Sequence, residues 1–170
     1  MKRIAPIIAA ATLCGGIGHA DSVTRAGAPA SPIASVVVAP AGYDIVYVSG
    51  MTPPVVDAKA PPGSPAMYGD TKTQTVGVIG KLAEALKAQG VTLADVTMMR
   101  VYLVGDPAKD GKMDFAGMMA GYTQFFGTPD QPNKPSRVTV QVVSLAGPGM
   151  LVEIEVQAAR PHAAAQGAAH

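Results

Sequence analysis

The sequence predicts an α/β domain in which one mixed sheet carries two helices on a single face. Three observations lead there. Residues 33–38, 43–49, 96–104, 134–142 and 152–158 are β-branched or alternate apolar with polar, as strands do. Residues 70–90 and 114–126 instead repeat their apolar positions every three to four places, as helices do. The helices alternate with strands, and strand pairs stand at both ends, an order that a single sheet with both helices on one side accommodates.

Taken in order, 33–38 and 43–49 are separated by Ala-Pro-Ala-Gly, which fits a hairpin. Residues 51–66 are proline-rich and aperiodic, a loop that reads equally as a cover for a site or as an inert insertion. Asp70 is a suitable N-cap for the first helix, Thr75, Ile79, Leu82 and Leu86 form its apolar stripe, and Gly90 suits a left-handed stop. Lys81, Glu84 and Lys87 make its solvated face. Gly77 and Gly80 each weaken such a helix by about 1 kcal/mol relative to alanine, so tertiary packing, through close approach to the sheet, is expected to hold it.

In the strand 96–104, Met98, Arg100 and Tyr102 share one side and Met99, Val101 and Leu103 the other. The loop 105–112 leads to the second helix, whose stripe is Phe115, Met118, Met119, Tyr122, Phe125 and Phe126, with Gly127 closing it. A stripe of this kind is core or subunit interface far more often than a cofactor site.

The stretch 134–158 reads as two strands around a glycine-proline turn. Arg137, Thr139 and Gln141 alternate with Val138, Val140 and Val142, and Glu153, Glu155 and Gln157 with Val152, Ile154 and Val156. One face of such a ribbon is aliphatic and expected to be core, and the other is polar, with Arg137 near two glutamates because paired strands lie about 5 Å apart. Two readings follow. In one, Arg137, Glu153 and Glu155 form a solvated ion network, the more frequent outcome for charges on a sheet. In the other, Arg137 grips a ligand carboxylate and a glutamate acts on that ligand. The sheet face left bare by the helices mixes Thr139, Gln141, Glu153 and Gln157 with Tyr43, Ile45 and Met98, a blend that points to subunit contact.

The 170 residues suit one domain, and 13 basic against 12 acidic side chains give no field that would draw nucleic acid or an anionic membrane surface. Residues 1–20 have Lys2 and Arg3, an apolar run from Ile4 to Ile17, and small Gly18 and Ala20, the pattern of a secretory signal peptide cleaved after Ala20. The run is too short for a transmembrane span, and bulky Leu13 before Cys14 argues against lipidation. A periplasmic or secreted protein is expected, with a flexible lead-in over 21–32 and an Ala-rich disordered tail over 161–170. Cys14 and His19 fall in the leader, and His162 and His170 in the tail. The body therefore lacks the usual zinc or copper ligands and the Ser-His and Cys-His nucleophile pairs. Catalysis, where present, falls to Arg, Lys, Asp, Glu, Tyr, Ser or Thr, and no metal or organic cofactor is expected.

Five short segments in sequence carry a family resemblance: Val48 to Gly50 (VSG), Ala88 to Val96 (AQGVTLADV), Tyr122 to Gly127 (YTQFFG), Pro135 to Val140 (PSRVTV) and Val152 to Ala158 (VEIEVQA). Over residues 33–160 the chain resembles the Rid, or YjgF-type, family of small enamine and imine deaminases. The resemblance implies a chorismate-mutase-like subunit and a homotrimer with ligand sites in clefts between subunits. It implies that Arg137 binds the carboxylate of a 2-imino acid, that Glu153 positions the attacking water, that Gly50 lines the pocket and that Thr139 adds main-chain contacts. Active members carry a tyrosine where Val36 stands and an asparagine where Met119 stands, and the loops 51–66 and 105–112 exceed those of compact members.

The chemistry so implied is self-consistent. An arginine fork orients the carboxylate, and a protonated imine needs only a held water and a carboxylate base. Addition gives a carbinolamine that collapses to a 2-keto acid and ammonia. The competing expectation is a non-catalytic module that holds small carboxylates between subunits. Endoribonuclease activity fits less well, because no basic stripe with interleaved aromatics is present.

Overall fold

The computed structural model describes residues 21–162, so the expected leader and the last eight residues lie outside the described residues. Six strands and three α-helices are present among them: β1 (Thr24–Ala26), β2 (Val36–Val38), β3 (Tyr43–Met51), α1 (Pro65–Tyr68), α2 (Thr71–Lys87), β4 (Val96–Val104), α3 (Phe115–Tyr122), β5 (Ser136–Val142) and β6 (Val152–Pro161). The main sheet has four strands in the order β3-β6-β4-β5, with β4 and β5 parallel and the other neighbours antiparallel.

The two longer helices, α2 and α3, pack on one face of this sheet. Val78, Ile79, Leu82 and Leu86 of α2 and Met118 and Tyr122 of α3 bury against Met99, Val101 and Leu103 of β4 and Val152, Ile154 and Val156 of β6. The N-cap of α2 is Asp70, whose carboxylate accepts from the Thr73 amide at 2.8 Å, and Gly90 takes the left-handed φ of 70°. The second helix is shorter than its stripe: α3 ends at Tyr122, and Phe125 and Phe126 reach the core from the following turns. Among the described residues no helix is long and apolar enough to cross a membrane.

Neither expected hairpin forms. β2 pairs with β1, inside the segment expected to be a flexible lead-in, and β3 pairs with β6. β5 and β6 do not touch as partners, because β4 lies between them. The connection from Val143 to Leu151 is long enough to step over the end of β4, where the Val104 amide donates to the Leu151 carbonyl at 3.0 Å. A glycine-proline turn is therefore a span here and not a tight reversal. At the C-terminus β6 runs through Pro161, paired with Tyr43, and the His162 amide donates to the Gly42 carbonyl. Pro161 thus belongs to the sheet, and His162 is held to the turn before β3.

The long loop after β3 is anchored by a residue the pattern gave no reason to single out. Gln74 of α2 is fully buried, donating to the Gly69 and Gly149 carbonyls and accepting from the Leu151 amide at 2.7 Å. One side chain thus ties α2 to the loops before it and before β6, and meets the backbone groups that those loops would otherwise leave buried and unpaired. Gly77 meets Pro54 of the long loop and not the sheet, and Gly80 faces open space. The close contact between helices is made instead by Gly121 of α3.

A Cβ at Gly121 would stand 2.8 Å from Thr75 Cβ and 3.1 Å from the Lys72 carbonyl, atoms fixed to the α2 backbone. Gly121→Ala should therefore push the helices apart and cost about 1–3 kcal/mol, the range for overpacking a core. A fall in thermal midpoint with unchanged cooperativity would register it.

Candidate functional site

Strand parity decides where each candidate side chain points. Arg137 is the register partner of Met99 and Thr139 that of Val101, so both share the helix-covered face of the sheet. Val138 and Val140 consequently turn to the open face, where they are 41% and 40% exposed. The expectation that the valines of 134–142 face the core is thus reversed for β5, while it holds for Val152, Ile154 and Val156 of β6. Glu153 pairs with Tyr102 and Glu155 with Arg100, on the open face. Arg137 and Glu153 therefore lie two strands apart on opposite faces, and the cross-strand cluster expected from adjacent strands does not exist.

The ion pair that does form uses another arginine. Arg100 Nη1 lies 3.0 Å from Glu155 Oε1, and the Tyr102 hydroxyl donates to the same oxygen at 3.1 Å. With side chains about a third exposed, such a pair is worth under about 1 kcal/mol. Slight burial, then the hydrogen bond and charge of Glu155, raise the pKa of the Tyr102 phenol. Glu155 is occupied by this pair, and Glu153 is left without a side-chain hydrogen bond or ion pair among the described residues.

Glu153 has a seat of a different kind. The register of β3 against β6 slips between Val48 and Met51, and Gly50 in that slip lies under the Glu153 carboxylate. A Cβ at Gly50 would collide with Glu153 Oε1. Glycine there lets the carboxylate rest on bare backbone, so two of the sequence candidates, Gly50 and Glu153, are brought together.

Arg137 and Thr139 are the other pair. The guanidinium carbon stands 4.4 Å from the Tyr122 ring centroid and 5.9 Å from that of Phe115, and Nη2 donates to Met119 Sδ at 3.1 Å. Stacking on the tyrosine face offsets part of the cost of removing the cation from water. Burial nonetheless lowers the Arg137 pKa, while Tyr122 acts to raise it. Arg137 makes no ion pair with any carboxylate among the described residues. Its Nη1 and the Thr139 hydroxyl are both buried without a hydrogen-bond partner. Unsatisfied buried donors are scarce in folded proteins, and these two lie on one strand face with no acceptor among the described residues.

The α3 side chains around Arg137 were legible only as a stripe. Phe115, Met119 and Tyr122 recur at helical spacing, which says that they share a face but not that the face covers an arginine. Val36, at the position where active Rid members carry tyrosine, lies 55% exposed in the β1-β2 hairpin. Clefts of about 210, 440 and 260 Å3 lie near Arg25 and Lys134, near Lys87 and Asp130, and near Asp70 and Asp106. None of these three takes in Arg137, Thr139, Gly50 or Glu153. Among the described residues no three of His, Cys, Asp and Glu come together as a metal set.

The model of the family described as Endoribonuclease L-PSP matches residues 27–160, most of the chain. The chain belongs to the Rid, or YjgF, family. A RutC family protein of Pyrococcus horikoshii is 35% identical over 112 residues, which cover 66% of this chain and 76% of that one. Among solved structures, the Rid family protein YyfB of Yersinia pestis superposes with a TM-score of 0.56 at 24% identity, over 76% of this chain and 87% of its own, a likeness of fold. TdcF of E. coli, solved with bound serine, gives a TM-score of 0.52 at 25% identity over 68% of this chain and 80% of its own. The mixed four-stranded sheet with both helices on one face is thus the Rid subunit fold.

Burial raises the Tyr122 pKa to about 12, against a smaller lowering by Arg137, and its hydroxyl donates to the Pro32 carbonyl. Because the unfolded phenol ionises near pH 10, the stability this group contributes is complete below about pH 10 and drains away between about pH 10 and 12. Spectrophotometric titration of the five tyrosines should show one late step near pH 12, absent in Tyr122→Phe.

Proposed function

We propose that this Rid family member hydrolyses reactive 2-imino acids to 2-keto acids and ammonia, with Arg137 holding the substrate carboxylate and Glu153 positioning the water. The observation that carries the proposal is the half-buried Arg137 guanidinium, stacked on Tyr122 and, among the described residues, free of any carboxylate and with Nη1 lacking an acceptor. A planar carboxylate matches such a fork with two parallel charge-assisted hydrogen bonds. The serine bound to the E. coli relative TdcF carries a carboxylate of this kind.

Because Arg137 and Glu153 look out from opposite faces of one sheet, the reaction needs Glu153 from a second copy of the chain. The open face, where Ile45, Tyr47, Val138 and Val140 are exposed, is the surface on which copies would meet in a homotrimer. Seating Glu153 between Gly50 and a neighbouring copy would hold its carboxylate within reach of the attacking water, the placement that a general base needs. The bound imine carbon accepts the water oxygen as Glu153 accepts its proton. The carbinolamine then expels ammonia and leaves the keto acid on Arg137. Thr139, two residues along the same face, offers a hydroxyl to the bound acid. Export to the periplasm or beyond, by the leader expected at residues 1–20, belongs to the same proposal.

A second reading is favoured by one specific observation: Tyr122, whose pKa stands near 12, is the titratable group stacked on Arg137. A chain that never brings Glu153 to that arginine would bind small carboxylates without turning them over. The variants separate the two. Glu153→Gln should leave 2-keto acid binding in place while imine hydrolysis falls by about 10²-fold or more, the scale of a lost general base. Arg137→Lys keeps the charge but loses the fork, and should weaken 2-keto acid binding by roughly tenfold or more. Ammonia release from imines generated in situ, read beside calorimetric binding, checks both. Binding without acceleration in the unaltered protein leaves the carboxylate module.

A further inference from the structure

Among the described residues, the group that meets one arm of the Arg137 fork is the Met119 thioether, with its sulfur 3.1 Å from Nη2. This inference rests on the carboxylate-binding reading above. We propose that Met119 is a redox-sensitive stopper on Arg137: as a thioether it yields the fork to a ligand carboxylate, and as a sulfoxide it does not.

The reduced state is a weak occupant. A thioether sulfur is a poor acceptor, whereas charge-assisted bonds to a carboxylate are roughly twice as strong as neutral ones. Methionine also turns about three side-chain bonds, so vacating the fork costs little strain. The stopper keeps water away from a half-buried cation until an acid arrives, and the acid displaces it.

Oxidation changes the balance. Met119 is partly exposed on α3, whereas Met99 and Met118 are fully buried. A small two-electron oxidant such as hydrogen peroxide therefore reaches Met119, as it reaches the equally half-buried Met51, Met67, Met98, Met113 and Met150, and the effect on Arg137 is assigned to Met119 by substitution. The sulfur lone pair attacks one peroxide oxygen, the O–O bond breaks, and the other oxygen leaves with the protons as water; sulfur is oxidised and peroxide reduced. The new sulfoxide oxygen is a polar acceptor tethered beside a guanidinium whose Nη1 has none. Tethering gives it an effective concentration that a free acid must exceed. Ligand binding then falls without loss of the fold, because Met119 is only partly buried and flanks the core.

The test is calorimetric titration of the full-length protein with 2-oxobutanoate, before and after mild peroxide, with peptide mass spectrometry confirming one added oxygen on Met119. Unoxidised Met119→Leu, which keeps the shape but removes the acceptor, should bind more tightly than the unaltered protein. Peroxide should weaken binding by about tenfold or more in the unaltered protein, reversibly with methionine sulfoxide reductases, and leave Met119→Leu unchanged. Equal affinity of oxidised and unoxidised protein, or an equal loss in oxidised Met119→Leu, overturns the stopper. If Arg137→Lys binds 2-oxobutanoate as the unaltered protein does, the carboxylate site itself falls; if it binds weakly while Met119 and peroxide have no effect, only the stopper falls.

Discussion

Side chains along a strand alternate between two faces, and the placement of β4 between β5 and β6 turns that alternation into a constraint on function. Arg137 is in register with Met99 and Glu153 with Tyr102, residues on opposite sides of β4. No rotamer of either side chain carries it through the sheet. A chemistry that needs both groups at one ligand would therefore draw them from two chains, and the proposed assembly would cover the exposed valines of β5.

The same constraint sorts the arginines. Arg100 finds Glu155 on the open face, in a pair shared with Tyr102, and behaves as the solvated network that charged strand residues usually form. Arg137 instead rests on the helix α3 stripe, where an aromatic ring and a thioether take the place of an anion. A cation held this way is costly unless an acceptor completes it. That cost is the physical basis for reading Arg137, and not Arg100, as a ligand-binding group.

Much of this was legible in the residues alone. The spacing of Thr75, Ile79, Leu82 and Leu86 and the capping role of Asp70 located α2 and its buried face, and the alternation in 96–104 assigned the two sides of β4 correctly. Pairing was not legible, because a run such as 134–142 reports its period but not its neighbours. Val138 and Val140 look like core by hydrophobicity and lie exposed, since only long-range register says which phase of an edge strand faces the helices. Gln74 escaped for a related reason: a buried glutamine is recognised by the loop groups it satisfies, and two of them, the Gly149 carbonyl and the Leu151 amide, lie 75 and 77 residues away in the chain. Within the candidate site, Gly50 and Glu153 do meet, as do Arg137 and Thr139, but the two halves stay apart in the single chain.

Subunit complementation tests the shared site most directly. Arg137→Ala and Glu153→Gln chains, each inactive alone, are co-expressed and the mixed oligomers assayed for ketoacid release. Random assembly around a symmetric ring should restore native Arg137 facing native Glu153 at about one site in four, with activity in proportion. No recovery in oligomers shown to contain both chains would contradict a site built from two copies.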